Sequence, residues 1–173
     1  MNDQRGPEGN APVAETMWAL LERVAGLERR VGALYARFAA AFRSRPLIAT
    51  FWNEMAGEER LHAVLVAATR EVFPVTAPVP SGEWGRQLGA IEQRVGVLEV
   101  QAATGITVSE AFVGAEELEA SELNAVTALI IRHAGRGFSR LGTFIDGAGV
   151  DHHRDKLLEA RRRFRIEGSL QFS

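Results

Sequence analysis

The segment Glu59-Arg60-Leu61-His62 places a carboxylate and an imidazole within an otherwise apolar stripe. Glu59 and His62 are three positions apart, so they share one face of a helix. The same face carries Trp52 and Val66. Burial of an uncompensated charge is costly, so the face is either exposed or packed against compensating groups. One interpretation is a hydrogen-bonded Glu and His at a bundle rim; the other is half of a carboxylate-bridged metal site in a bundle core.

The first half of the chain is predicted to form two long helices, because apolar residues recur at spacings of three and four. They run from Pro12 to about Arg43 and from about Pro46 to Phe73. A connection this short favours an antiparallel pair. The proline-rich segment 74–81 then ends the helical pattern. A shorter helix is predicted at about 82–104, within a long crossover.

The second half begins at Thr107 and Glu110, which have the spacing of a capping box. It predicts a third long helix to about His133 and a fourth at about 138–164. The predicted fold is therefore all-α: a four-helix bundle of two antiparallel hairpins, joined by a crossover that contains a shorter helix.

The chain is expected to form one domain at 12–165, with a disordered start at 1–11 and a tail at 166–173. It contains no cysteine, which excludes disulfides and thiolate metal sites, so carboxylates and histidines would hold any metal. The net charge of −2 gives no reason to expect nucleic acid or an anionic membrane surface. No uncharged apolar run reaches the about 20 residues of a membrane span. Because the start is polar, we do not expect it to be a signal peptide. The cytoplasm is the expected location.

An internal repeat relates the two halves. Glu28 and His62 are 34 positions apart, and so are Glu119 and His153. Each predicted hairpin thus offers one inward Glu and one inward His, and Glu59 adds a third carboxylate. Two divalent cations would compensate this polar cluster. The alternative is that Glu28 and Glu119 are structural charges, paired across the bundle with Arg30 or with His153.

The sequence resembles the ferritin-like superfamily, specifically the rubrerythrin-like diiron-carboxylate proteins. The residues that carry the resemblance are Glu28 with Tyr35 one heptad later, the Glu59–His62 motif, Glu119 and His153. It implies one or two iron ions per chain, with manganese or zinc as further candidates, and a diiron-type oxidoreductase that reduces peroxide or oxidises Fe(II). It also implies metal ligation by Glu28, Glu59, His62, Glu119 and His153, and a redox neighbour at Tyr35. We expect the chain to form a homodimer.

The chain departs from this family pattern at Val150, where the resemblance would place a second bridging Glu three positions before His153. We therefore expect one tight metal ion and a second site that is weak, empty or completed by Glu116 or Glu122. The alternative function is a helical bundle whose metal site has decayed, acting as a structural or partner-binding protein. The basic cluster Arg161–Arg165 is interpreted as a solvated helix end.

Overall fold

A computed structural model describes residues 16–69, 83–120 and 153–166. All regular elements in these ranges are α-helices, which confirms the all-α prediction for the part of the chain described. The predicted helical stretches at 70–73, 121–133 and 138–152 lie outside it, as do both termini. The described ranges contain five helices: α1 (Met17–Ala41), α2 (Pro46–Thr69), α3 (Glu83–Thr104), α4 (Val108–Glu119) and α5 (His153–Phe164).

Side-chain caps fix the start of two helices. The Thr16 hydroxyl accepts a hydrogen bond from the backbone N–H of Ala19 at 3.2 Å and so begins α1. At the start of α4, the Thr107 hydroxyl accepts from the Glu110 N–H, and the Glu110 carboxylate accepts from the Thr107 N–H. The capping box predicted from the sequence is thus present. However, α4 ends at Glu119 with Ala120 as its C-cap, earlier than the predicted end near His133.

Helices α1 and α2 form an antiparallel hairpin. The Trp52 ring packs against Tyr35 at 5.3 Å and against Phe38 at 5.0 Å between ring centroids. Gly32, in the middle of α1, lies directly opposite Glu59 of α2. Because Gly32 has no side chain, the two helices approach closely at the height of the Glu-x-x-His motif.

Helix α3 lies parallel to α1. Arg23 of α1 pairs with Glu92, and Arg30, seven residues later, pairs with Glu99. The bounds of α3 agree with the prediction, but it is only two residues shorter than α2, with 22 residues against 24. It buries an apolar stripe formed by Leu88, Ile91, Val95 and Leu98.

Helices α4 and α5 are antiparallel, because Phe112 lies beside Phe164 whereas Glu119 lies beside His153. Helix α5 also packs against α2. The Phe112 and Phe164 rings approach to 6.4 Å between centroids, and Phe51 of α2 stacks on Phe112 at 5.3 Å. These rings and Trp52 form an aromatic layer between α2, α4 and α5. Phe51 and Phe164 are only partly buried, whereas Trp52 and Phe112 are fully buried, so this layer packs the C-terminal end of α5 against α2 and α4.

Candidate metal centre

Four helices deliver polar side chains to one buried cluster. It combines Glu28 and Tyr35 from α1, Glu59 and His62 from α2, Glu119 from the end of α4 and His153 from the start of α5. All six are buried, and their exposed fractions range from 0% to 8%. The helical spacing explains their common direction, because each lies on the stripe that carries the apolar residues of its own helix.

Glu59 contacts both histidines. Its Oε1 lies 3.0 Å from His153 Nδ1, and its Oε2 lies 3.2 Å from His62 Nδ1. Burial alone would raise the pKa of Glu59, but His153, His62 and a hydrogen bond with Glu28 lower it well below its ordinary value. The carboxylate is therefore ionised inside the core.

His153 is surrounded by three carboxylates. Its Nδ1 lies 3.3 Å from Glu119 Oε2 in addition to Glu59, and its Nε2 lies 2.9 Å from Glu58 Oε2. None of these oxygens lies along a ring N–H direction, so the contacts are ionic rather than directed hydrogen bonds. Burial would lower the pKa of His153, but the neighbouring Glu119, Glu58 and Glu59 raise it to about 12.

The Tyr35 hydroxyl reaches the same cluster from α1. It donates a 2.7 Å hydrogen bond to Glu119 Oε1. Burial, together with the charges of Glu119 and Glu59, raises the pKa of Tyr35 well above its ordinary value, so the phenol keeps its proton. Tyr35 therefore acts as a fixed donor that orients the Glu119 carboxylate.

His62 stacks against His153, with ring centroids 4.9 Å apart and ring planes inclined at 27°. Its Nδ1 contacts Glu59, but its Nε2 is buried and has no hydrogen-bond partner among the described residues. A buried polar atom without a partner costs free energy. A ligand that accepts the lone pair of this nitrogen would remove that cost.

Glu59, His62 and His153 meet the geometric requirement for a shared metal ion. Each offers one ligand atom, and the three atoms lie within 4.8 Å of one another. Two ligands that bind one ion at ~2.1 Å lie ~3.0 Å apart at a right angle and ~3.4 Å apart at a tetrahedral angle. The contacts of His153 Nδ1 with Glu59 and Glu119, at 3.0 and 3.3 Å, fall in this interval. The Glu59 and Glu119 oxygens lie off the N–H direction of His153 Nδ1. This is also expected if the carboxylates and the imidazole nitrogen point towards a common ion rather than towards each other.

The sequence left Arg30 and His153 as alternative ion-pair partners of Glu28 and Glu119, and the structure shows where both lie. Arg30 pairs with Glu99 on α3, so it is not the cross-bundle partner considered for Glu28 or Glu119. His153, the other partner considered, does contact Glu119.

Of the two proposed substitute ligands, only Glu116 lies among the described residues, and it is not in the cluster. Glu116 is buried, but it forms a two-point ion pair with Arg161, at 2.9 and 2.8 Å from Nη1 to its two oxygens. Glu122 and Val150 lie outside the described residues. The Arg161 contact also corrects the interpretation of Arg161–Arg165 as wholly solvated, because only 13% of the Arg161 side chain is exposed.

Sequence reasoning missed Glu58, whose second oxygen pairs with Lys156 of α5. Burial would raise the pKa of Glu58, but His153 and Lys156 lower it below its ordinary value. A signal was present in the sequence, since Glu58 is three positions after Met55 and four before His62, both of which face inward. The partners of Glu58, His153 and Lys156, lie on α5, however, and could not be predicted from the sequence of α2 alone.

None of the protein-family models, curated proteins or solved structures compared with this chain matches it. Across the residues that the structure describes, no helix has both the length and the apolar character needed to cross a membrane.

Proposed function

We propose that this protein binds a metal ion through Glu59, His62 and His153, with Glu28 and Glu119 completing the site. The observation that carries the proposal is the convergence of three ligand atoms within 4.8 Å in the buried core. The position of His62 supports the proposal, because its Nδ1 lies 3.2 Å from Glu59 Oε2 and its ring stacks on that of His153.

Iron is the metal that we propose first. Imidazole and carboxylate ligands suit iron, manganese and zinc, and no thiolate is available to favour a softer ion. Charge supports one tight ion rather than two. Glu28, Glu59 and Glu119 together carry −3 when ionised, which exceeds the +2 of one divalent ion but falls short of the +4 of two. Glu58 is left out of this sum because it pairs with the Lys156 ammonium, which offsets its charge.

We further propose that the helices form a ferritin-like, rubrerythrin-like bundle. Support comes from the antiparallel α1–α2 and α4–α5 pairs, and from the two repeat-related histidines, His62 and His153, which stack on each other. Support also comes from the two repeat-related carboxylates, since Glu28 influences the pKa of Glu59, and Glu119 contacts His153. The equal spacing in the two halves predicted that these four residues would meet.

Bound iron would supply electron transfer, either in the reduction of peroxide or in the oxidation of Fe(II). The chain's own residues have three tasks in that chemistry. Glu59 and the two histidines hold the ion, and Tyr35 fixes Glu119 through its hydroxyl. The burial of the cluster restricts access of water. As a proposal, this assigns the protein to oxidoreductases with a rubrerythrin-like carboxylate–histidine iron site, in which this chain holds one ion tightly.

A second candidate function is a structural or partner-binding bundle whose metal site has decayed. It is favoured by the position of His153, whose cationic ring contacts Glu58, Glu59 and Glu119 and offsets their charge without a metal. In this case the polar cluster stabilises the arrangement of the helices and has no ligand to bind.

Metal retention after anaerobic Fe(II) loading separates the two candidates. We expect the wild type to retain about one ion per chain after desalting. Glu59→Ala should retain almost none, whereas Glu54→Ala, an exposed change on the same helix, should behave as the wild type. The structural candidate instead predicts no retained iron in any of these proteins. It also predicts that Glu59→Ala destabilises the fold equally with and without added metal.

A further inference from the structure

A groove runs along the contact between α2 and α5, with a cavity volume of about 350 Å³. Its walls include apolar side chains such as Met55 and Phe164 and charged ones such as Glu54. Glu58 lines the same groove, and 30% of its side chain is exposed. Glu58 is therefore a carboxylate that both faces solvent and contacts the buried His153.

The two oxygens of Glu58 contact two groups on one turn of α5. Oε2 lies 2.9 Å from His153 Nε2, and Oε1 pairs with the Lys156 ammonium. His153 and Lys156 are three positions apart, so they share a helix face. One carboxylate from α2 thus ties the first turn of α5 to the helix that carries Glu59 and His62.

We propose that Glu58 is a positioning residue that selects the nitrogen through which His153 binds the metal. By occupying the Nε2 side of the ring, it leaves Nδ1 facing Glu59 and Glu119. A metal-ligating imidazole commonly has its second nitrogen held by a carboxylate or carbonyl, which fixes the orientation of the ring. This inference rests on the proposed metal-binding function and adds a residue to it.

Glu58 also adds a carboxylate beside His153 in a chain that has Val150 at the sequence position where the resemblance would place a Glu. Glu58 comes from α2 rather than from the helix of His153, and it approaches the ring from the groove side. Its role is therefore to orient and neutralise His153 rather than to bridge two ions.

The test compares Glu58→Ala, Glu58→Gln and the control Glu54→Ala, each checked for native helicity by circular dichroism. Zinc is the probe because it is diamagnetic, and nitrogen NMR of the imidazole rings identifies the bound nitrogen. In the wild type we expect His153 to bind zinc through Nδ1. Glu58→Ala should lose this selectivity and bind zinc about 10- to 100-fold more weakly, as is typical when an outer partner of a ligand is removed. Glu58→Gln should keep Nδ1 binding with an intermediate affinity, because its amide still occupies the Nε2 side of the ring but carries no negative charge.

Two results would overturn the role of Glu58. The first is a Glu58→Ala protein that binds zinc through Nδ1 as tightly as the wild type, which would leave the metal-binding proposal intact. The second comes from the metal-free protein. There we expect the ring N–H protons of His153 to exchange with water faster in Glu58→Ala than in Glu54→Ala. Equal exchange rates would refute the contact. If the wild type bound no zinc, the proposed function would fail, and the exchange measurement would still decide whether Glu58 holds the ring.

Discussion

Gly32 sets the distance between α1 and α2 at the height of the candidate site. A methyl group added at this position would lie 3.2 Å from Glu59 Cβ and 3.3 Å from the Ala56 carbonyl oxygen. The second neighbour is backbone and cannot rotate away. Gly32→Ala should therefore push the two helices apart where Glu28 approaches Glu59.

Gly57 is the matched control for this substitution. It is also within a helix, but a methyl group there would meet nothing within 4 Å. Replacing a helical glycine by alanine stabilises by up to ~1 kcal/mol when the site is open. Overpacking costs about 1–3 kcal/mol and opposes that gain at Gly32. The free energy of unfolding of Gly32→Ala should therefore lie about 1–3 kcal/mol below that of Gly57→Ala.

Urea unfolding of both metal-free variants measures this difference, and zinc titration reports on the site. We expect Gly57→Ala to bind zinc as the wild type does and Gly32→Ala to bind it more weakly, because Glu28 moves away from Glu59. If Gly32→Ala were as stable as Gly57→Ala and bound zinc normally, the close helix approach would not be what positions these carboxylates.

Three further predictions concern charge. The pKa of His153 is raised from 6.5 to about 12, so its contribution to stability is complete below pH 6.5 and declines as the pH rises towards 12. The pKa of Glu59 is lowered from 4.5, so its contribution is present above pH 4.5 and is lost in acid. Urea unfolding across the pH range should therefore show the metal-free protein most stable between about pH 4.5 and pH 6.5. If a His153→Gln variant kept the same loss of stability at alkaline pH, His153 would not be the group responsible for that loss. Tyr35→Phe removes the buried hydrogen-bond donor to Glu119 and should lower the free energy of unfolding of the metal-free protein by about 1–3 kcal/mol. The loss should be smaller with zinc bound. An equal loss in both states would show that Glu119 has no part in metal binding. Arg161→Met leaves the buried Glu116 without its ion-pair partner and should lower the free energy of unfolding by about 3–5 kcal/mol. The control Arg162→Met changes an exposed residue and should alter it by less than about 0.5 kcal/mol. Equal effects of the two changes would show that the ion pair contributes nothing.

Helical periodicity and the internal repeat predicted the residues that line the cluster. Glu28, Glu59 and His62 lie on apolar stripes of their own helices, so the local sequence was enough to place them inward. Glu119 and His153 required the comparison of the two halves, and both are buried as that comparison predicted.

Contacts between helices were not predictable in the same way. Glu58 reaches His153 because α5 packs against α2, and the relative position of two helices cannot be read from either pattern alone. The pairing of Arg161 with Glu116 was missed because a run of basic residues usually marks a solvated helix end. Its spacing from Leu157, four positions earlier and buried, was the available signal.

A crystal structure of protein loaded anaerobically with Fe(II), with diffraction data collected on either side of the iron absorption edge, tests metal binding most directly. The account predicts an anomalous peak in the buried cluster, within ~2.4 Å of ligand atoms from Glu59, His62 and His153. It also predicts that any second peak has lower occupancy than the first. A cluster with no anomalous peak, in which His153 still contacts Glu58, Glu59 and Glu119, would contradict metal binding and favour the structural bundle.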